Sequence, residues 1–150
     1  MKWMLDRNSL NPLSRSFAES LFQDFGEWEK CAELLPDAEG RGGSAMEVTI
    51  EQPGTDRALR IRTDDNEITI GYDMWHTHVG AFMGISDSEA VELALADIRS
   101  IIAEQSVIVV VYRDGKWAGS SLEDADSVIA VKPGSTAHVY SWKRSHDRVL

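Results

Sequence analysis

The sequence predicts an α+β fold in which a largely antiparallel sheet of about six to eight strands packs against two helices. Three stretches lead to this prediction. Residues 86–105 carry the clearest helical pattern of the chain, residues 46–82 have the pattern of a strand meander, and residues 107–143 contain further strands. Runs of strands separated by single helices are typical of α+β domains. A chain of 150 residues has the usual length of one domain, so we predict a single domain over residues 1–150.

The first predicted element is a helix over residues 12–35. Asn11 stands directly before Pro12. This pair suits a helix start, because the amide hydrogen that proline lacks would have no partner there. Apolar residues then recur at helical spacing until Pro36 ends the pattern. Gly26 lies inside the stretch, and we expect it to bend or split the helix.

A glycine-rich link at residues 36–45 leads into the strand meander of residues 46–82. Apolar and polar residues alternate within the meander, as expected of antiparallel strands that have one face in water. Proline and glycine at 53–54 mark one turn, and the residues at 64–66 mark the next. The last strand of the meander is predicted at residues 75–82.

The helix of residues 86–105 is the best-defined element of the sequence. Ser86 and Glu89 have the spacing of a capping box, in which each side chain binds the other residue's backbone amide. Apolar residues follow at a spacing of three and four and form one stripe. We expect this stripe to pack on the sheet. Its members are Val91, Ala94, Leu95, Ile98, Ile101 and Ile102.

Residues 107–143 are predicted to form three or four strands. Residues 107–112 are apolar on both faces, which is typical of a central strand that is covered on both sides. Asp114 and Gly115 are a strong signal for a two-residue hairpin turn. After the turn we predict a strand at 116–120, an acidic loop at 121–127, strands at 128–131 and 136–143, and a frayed tail.

The formal net charge of −10 is distributed unevenly. Residues 1–127 hold 11 Lys and Arg against 24 Asp and Glu, which gives −13, whereas residues 128–150 hold 4 against 1, which gives +3. Nucleic-acid phosphates select basic surfaces, so the acidic body argues against a nucleic-acid partner. The negative charge either serves solubility alone or attracts a basic protein partner.

The composition also bears on the compartment. No stretch approaches the run of about 18 apolar residues that a membrane-spanning helix needs, and residues 1–9 lack the apolar run of a secretory signal. Cys31 is the single cysteine, so no internal disulfide can form. This suits a reducing compartment. We therefore expect a cytoplasmic protein that does not bind membranes.

His76 and His78 are the one arrangement that resembles a metal site. Residues i and i+2 of a strand point to the same face, so both imidazoles can reach one ion. Zinc or iron needs a further ligand, and the candidates Asp73, Asp87, His138 and His146 stand at no established spacing. We therefore predict no metal and no other cofactor. The alternative is a small metal-dependent enzyme or sensor that uses His76 and His78.

The sequence carries no G-x-S-x-G elbow, no P-loop and no G-x-G-x-x-G motif in a suitable context, and we predict that the protein is not an enzyme. Acidic residues at two predicted turns and a nearby tryptophan favour a protein-binding surface, since aromatic anchors concentrate at interfaces. The alternative for the tryptophans in strands is that they fill the core. The residues predicted to contact a partner are Asp64, Asp65, Glu67, Trp75, Glu123, Asp124 and Asp126.

The stretch ITIGYDMWHTHVGAF, followed by a loop and an acidic capped helix, resembles small bacterial immunity proteins of polymorphic-toxin and contact-dependent growth inhibition systems. In these proteins a strand ending in an aromatic-His-x-His element precedes a helix, and the chain returns in strands around a D-G hairpin. Residues 75–78 and 114–115 match that outline, and the resemblance covers residues 46–120. Residues 79–80 depart from it, because the usual aromatic and acidic continuation is absent.

The resemblance implies a non-enzymatic inhibitor that binds one cognate toxin C-terminal domain in the cytoplasm. Many such toxins are basic nucleases, which agrees with the acidic charge of this chain. The inhibitor is expected to be a monomer or a homodimer. A third possibility is a structural subunit that oligomerises through the edge strands of its sheet.

Overall fold

The computed structural model describes residues 4–37, 40 and 42–150, and it confirms the α+β class. The predicted link at 36–45 and the segment at 1–9 therefore lie partly outside the described residues. The α-helices are α1 (Pro12–Asp24) and α2 (Asp87–Ile102). The strands are β1 (Ala32–Leu35), β2 (Ala45–Glu51), β3 (Ala58–Thr63), β4 (Glu67–Tyr72), β5 (Trp75–Gly80), β6 (Ser106–Arg113), β7 (Lys116–Asp124), β8 (Ser135–Tyr140) and β9 (Arg148–Val149).

These strands form two antiparallel sheets and not the single sheet of six to eight strands that we expected. The five-stranded sheet has the order β1-β2-β3-β4-β5, and the four-stranded sheet has the order β7-β6-β8-β9. Short 3-10 helices lie at Arg7–Ser9, Gly26–Cys31 and Ala81–Met83. No helix in the described ranges has both the length and the apolar character needed to cross a membrane.

The chain divides into two compact units. The first unit comprises Met1–Gly71 and His76–Leu95, and the second comprises Tyr72–Trp75 and Ala96–Leu150. The boundaries fall at the turn between β4 and β5 and inside α2. The single domain over residues 1–150 stays a prediction.

The first helix begins where the sequence predicts and ends eleven residues early, at Asp24 and not at Leu35. The Asn11 side chain caps it by accepting a hydrogen bond of 2.8 Å from the Ser14 amide. The residues after Gly26 form a 3-10 helix, and Ala32–Leu35 form strand β1. The predicted helix over 12–35 is therefore wrong in its last part, because pairing with β2 satisfies the backbone of β1.

A buried polar cluster joins the start of α1 to the end of β3 in the first unit. The Ser14 and Thr63 hydroxyls are hydrogen-bonded to each other, and Thr63 Oγ1 also accepts from the Met46 amide at 3.0 Å. The core around this cluster takes alternate residues of each strand, as the predicted alternation requires. Its fully buried members include Phe17, Leu21, Met46, Val48, Leu59, Ile61, Ile68 and Ile70.

The predicted cap by Ser86 and the apolar stripe of α2 are confirmed, but the Glu89 carboxylate binds the Ser86 hydroxyl and not its backbone amide. The Ser86 hydroxyl accepts from the Glu89 amide at 3.2 Å and donates to the Glu89 carboxylate at 3.2 Å. Of the predicted apolar stripe, Ile102 is half-buried and the other five residues are buried. The helix ends at Ile102, three residues before the predicted end at Gln105.

In the second unit, β6 is the central strand, as predicted, and pairs with β7 and β8. Four details differ from expectation, and the first is that β8 ends at Tyr140 and not at residue 143. Strand β7 continues to Asp124, so the predicted acidic loop begins later. Residues 128–131 are not a strand, although Ile129 and Val131 pack on the buried cluster of Val107, Val109, Ala137 and Val139. The tail is not frayed, because β9 pairs with β8.

Glu104 follows α2 and holds the segment at 143–145. Its carboxylate accepts hydrogen bonds from the Lys143 amide at 3.1 Å, the Ser145 amide at 3.3 Å and the Ser145 hydroxyl at 2.7 Å. Burial by itself would raise the pKa of Glu104. The hydrogen bonds from Ser141, Ser145 and the backbone of Lys143 outweigh this effect, and the pKa is lower than its ordinary value. The stabilisation that results is present above the unfolded-state pKa and is lost as pH falls through the lowered pKa.

We therefore expect Glu104→Gln to lower the thermal unfolding midpoint at neutral pH, and we expect the difference from wild type to shrink on acidification. Thermal unfolding of both proteins from about pH 7 to about pH 3 measures this. Glu92→Gln on the exposed face of α2 is the matched control. A pH profile shared by the two variants would contradict a specific role for Glu104.

Candidate functional site

The outward face of the five-stranded sheet is polar, because every second residue of its strands points away from the core. In β2, Glu47, Thr49 and Glu51 alternate with buried Met46 and Val48. The other strands contribute Glu33, Arg60, Arg62, Glu67, Thr69, His76 and His78 to polar positions in the same alternation.

Three glutamates, which we call the glutamate surface, lie on β1 and β2. Glu33 is directly opposite Glu47 in the strand register, and Glu51 lies further along β2 on the same face. Together with Cys31 and Thr49 they line an open groove of about 380 Å³. Like charges directly opposite each other on neighbouring strands destabilise a sheet. The glutamate surface is therefore an arrangement that a bound cationic group would stabilise.

Among the described residues, Arg62 and Arg60 of β3 lie opposite Glu47 and Thr49 in the strand register and partly compensate the charge of the glutamate surface. The Arg62 guanidinium is 4.0 Å from the Glu47 carboxylate, and both side chains are solvent-accessible. Such a pair contributes little in water. The first unit holds 8 Lys and Arg against 17 Asp and Glu, a formal charge of −9, whereas the second holds 7 against 8, which gives −1. The acidity of the protein therefore belongs to the unit that carries the glutamate surface.

The carboxylates predicted at the β3–β4 turn have different roles. The Asp64 carboxylate accepts hydrogen bonds of 2.8 Å from the Asn66 and Glu67 amides, so it shapes its own turn. Asp65 is exposed at that turn. Glu67 is half-buried, and its carboxylate is 3.6 Å from Nδ1 of His78. Of the three, Asp65 is the most exposed to solvent.

The second predicted group, Glu123, Asp124 and Asp126, lies at the end of β7. Glu123 and Asp124 are strand residues and not loop residues, which corrects the predicted loop. The Asp124 carboxylate accepts a hydrogen bond of 2.9 Å from the Asp126 amide, so it also shapes its own turn. Asp126 is exposed. This group belongs to the second unit, whose net charge is close to zero.

Trp75 does not present its side chain at the surface. The residue is 5% exposed, so its indole is part of the core, and the prediction that it contacts a partner is corrected. The alternation of β5 explains this, since Trp75 and Val79 are buried while His76 and His78 are exposed. Trp117, by contrast, is 49% exposed.

The structure places the His76 and His78 rings on one face, as predicted, with their centroids 5.1 Å apart. Nδ1 of His78 is 2.9 Å from the Thr69 hydroxyl on β4. The acidic group nearest to His78 is thus Glu67 and not one of the candidates from the sequence. Within the described ranges, no group of three or more His, Cys, Asp or Glu residues is arranged to hold a metal ion.

Sequence reasoning missed a groove on the four-stranded sheet that has Tyr112, His138 and Tyr140 among its lining residues. The alternation of β8 already placed His138 and Tyr140 on one face. What the sequence lacked was the register that brings Tyr112 of β6 beside them. This groove contains aromatic rings in the unit that has little net charge.

Similarity to other proteins assigns no role to either surface. Comparisons of the chain with protein-family models, with curated proteins and with solved structures found no match.

Proposed function

We propose that the protein is an immunity protein that binds a cognate, basic toxin C-terminal domain in the cytoplasm and neutralises it without catalysis. The observation that carries this proposal is the glutamate surface, in which Glu33 faces Glu47 across two strands and Glu51 extends the same face. Arginine and lysine side chains of a basic partner would relieve the repulsion between these carboxylates.

The physical mechanism is electrostatic attraction followed by occlusion. A surface of one sign raises the rate of encounter with a partner of the opposite sign, and the effect falls with added salt. A nuclease must present basic groups to the phosphates of its substrate. An inhibitor that covers those groups with carboxylates competes directly with the nucleic acid, and it needs no reactive residue of its own.

The element order agrees with the outline of the resemblance that the sequence suggested, except that the aromatic-His-x-His element begins its strand and does not end it. Residues 75–78 lie on β5, the capped helix α2 follows, and Asp114–Gly115 form the hairpin turn between β6 and β7. Among the predicted partner-contacting carboxylates, Asp65 and Glu67 share the first unit with the glutamate surface. They stay part of the proposed interface, and Glu123, Asp124 and Asp126 stay a separate proposal for the second unit.

The test compares two triple variants that remove the same amount of charge. One is Glu33→Gln, Glu47→Gln and Glu51→Gln in the glutamate surface. The other is Glu19→Gln, Asp56→Asn and Glu92→Gln at exposed positions of the same unit. We expect the first variant to slow association with the toxin by about tenfold or more at low salt, to weaken its salt dependence and to protect cells less well.

The control triple should change association far less, and thermal unfolding should show that neither variant is destabilised. The first variant is expected to be at least as stable as wild type, because the repulsion between Glu33 and Glu47 is gone. Equal kinetics for the two triples would mean that net charge alone matters. If no basic toxin domain from the source cell binds the wild-type protein, the immunity proposal is wrong.

A further inference from the structure

The aromatic groove lies entirely within the second unit, at the hairpin end of the four-stranded sheet. It has a volume of about 370 Å³. Its lining residues are Tyr112, Asp114, Gly115, Gly134, Thr136, His138 and Tyr140. Strand β6 contributes Tyr112, strand β8 contributes Thr136, His138 and Tyr140, and the two turns contribute the others.

The rings of the groove are held in a fixed arrangement by one another. The His138 ring meets the Tyr112 ring edge to face, with centroids 5.3 Å apart at 84°, and stacks beside the Tyr140 ring at 6.2 Å and 23°. Tyr140 in turn contacts Tyr72, which is buried. Rings that pack edge to face and offset keep a defined orientation. The groove is therefore a preformed surface, and its inner end is anchored in the core.

The aromatic surface continues beyond the groove to an exposed indole. Trp117 lies opposite Tyr112 in the register of β6 and β7, and directly opposite residues share a face of the sheet. An exposed tryptophan beside tyrosines is the composition found at the energetic centre of protein interfaces.

The charge of the groove selects the kind of group that fits it. Asp114 is the one acidic residue in the lining, and no lysine or arginine among the described residues lines the groove. The nearby Arg113 and Lys116 oppose each other in the register, and Arg113 follows Tyr112 directly along β6, which directs its side chain to the other face. Aromatic faces and one carboxylate, without a competing cation, favour a cationic side chain.

We propose that this groove binds an arginine side chain of the protein partner. A guanidinium is planar, so it stacks on a tyrosine face, and its parallel N–H groups bind a carboxylate in a bidentate manner; a lysine ammonium does neither as well. The partner's identity rests on the proposed function, under which it is the basic toxin domain. The chemistry of the groove is independent of that identity.

The first experiment uses the intact protein. The probe is acetyl-Gly-Arg-Gly-amide, a peptide whose blocked termini carry no charge. Titration followed by amide NMR should give saturable shifts at the groove residues. We expect the same peptide with lysine in place of arginine to bind several-fold more weakly. The same peptide with citrulline, which keeps the shape of arginine but lacks its charge, should give no saturable shift.

Two variants locate the binding. Asp114→Asn removes the charge and keeps the turn, because asparagine also tolerates the positive φ of 51° found at Asp114. Tyr112→Leu removes a ring and keeps an apolar side chain. Both should weaken arginine-peptide binding several-fold, whereas Phe82→Leu, at an exposed position on the first unit, should not. Equal binding of the citrulline peptide, or unchanged binding by Asp114→Asn, would overturn the inference.

The same variants separate this inference from the proposed function. Once a toxin domain that binds the protein is identified, its complexes with the Asp114→Asn and Tyr112→Leu variants can be measured. The dissociation rate should rise by about tenfold, and the association rate should be nearly unchanged. If the toxin binds all variants equally and the peptide does not bind, the groove inference is wrong and the immunity proposal stands. If the peptide binds as described and no basic toxin does, the immunity proposal is wrong and the groove assignment stands.

Discussion

Replacing Phe17 with alanine is expected to lower the free energy of unfolding by about 3–5 kcal/mol. Phe17 lies in the middle of α1 and is 0% exposed. It is the largest of the fully buried side chains among the described residues. Its removal loses the transfer free energy of the ring and leaves a cavity that the surrounding strands and helix cannot fill. Chemical denaturation followed by circular dichroism measures the change through the transition midpoint and its slope.

Phe82→Ala is the matched control, because it makes the same substitution at a side chain that is 66% exposed. We expect its effect to stay within about 0.5 kcal/mol, the range for surface positions. Comparable losses in the two variants would show that the inward face of α1 is not the core of the first unit.

The elements that the sequence predicts well are those specified by local signals. The start of α2 follows from Ser86 and Glu89, and its buried stripe follows from residue spacing alone. The hairpin between β6 and β7 follows from Asp114 and Gly115, whose φ angles of 51° and 75° are those that this residue pair tolerates. Neither feature depends on residues distant in the chain.

The elements that the sequence does not predict depend on distant partners. Residues 32–35 continue a helical spacing of apolar residues, yet they form β1 because β2 offers its backbone across the intervening link. The two residues of β9 have no pattern of their own and are ordered by pairing with β8. Local periodicity contains no information about such pairing, so the sequence predicts a helix and a frayed tail for these segments.

The candidate surfaces were missed for the same reason. The glutamate surface requires Glu33 to lie opposite Glu47, and that register exists only once residues 32–35 are known to be a strand. Without that register, the carboxylates at the predicted turns are the most prominent acidic clusters of the sequence. The burial of Trp75 is different, because the alternation of β5 around exposed His76 and His78 was present in the sequence and pointed to it.

Gly80→Ala is expected to destabilise the protein by about 3 kcal/mol or more, since overpacking against backbone adds to a lost hydrogen bond. An added Cβ at Gly80 would lie 2.2 Å from the Asn66 carbonyl oxygen and 2.7 Å from Cα of Glu67. Both are backbone atoms of the β3–β4 turn, which the Asp64 carboxylate holds closed. Relieving the clash would also break the hydrogen bond of 3.0 Å from the Ala81 amide to that carbonyl.

The effect at Gly80 is steric and not conformational, because its φ of 171° is extended backbone that any residue adopts. Gly26→Ala is the control, since an added Cβ there has no atom within 4 Å. We expect that change to be neutral or slightly stabilising. Chemical denaturation of both variants measures the two changes in the free energy of unfolding. A Gly80→Ala midpoint close to wild type would mean that the β3–β4 turn, and with it Asp65 and Glu67, is not fixed against the end of β5.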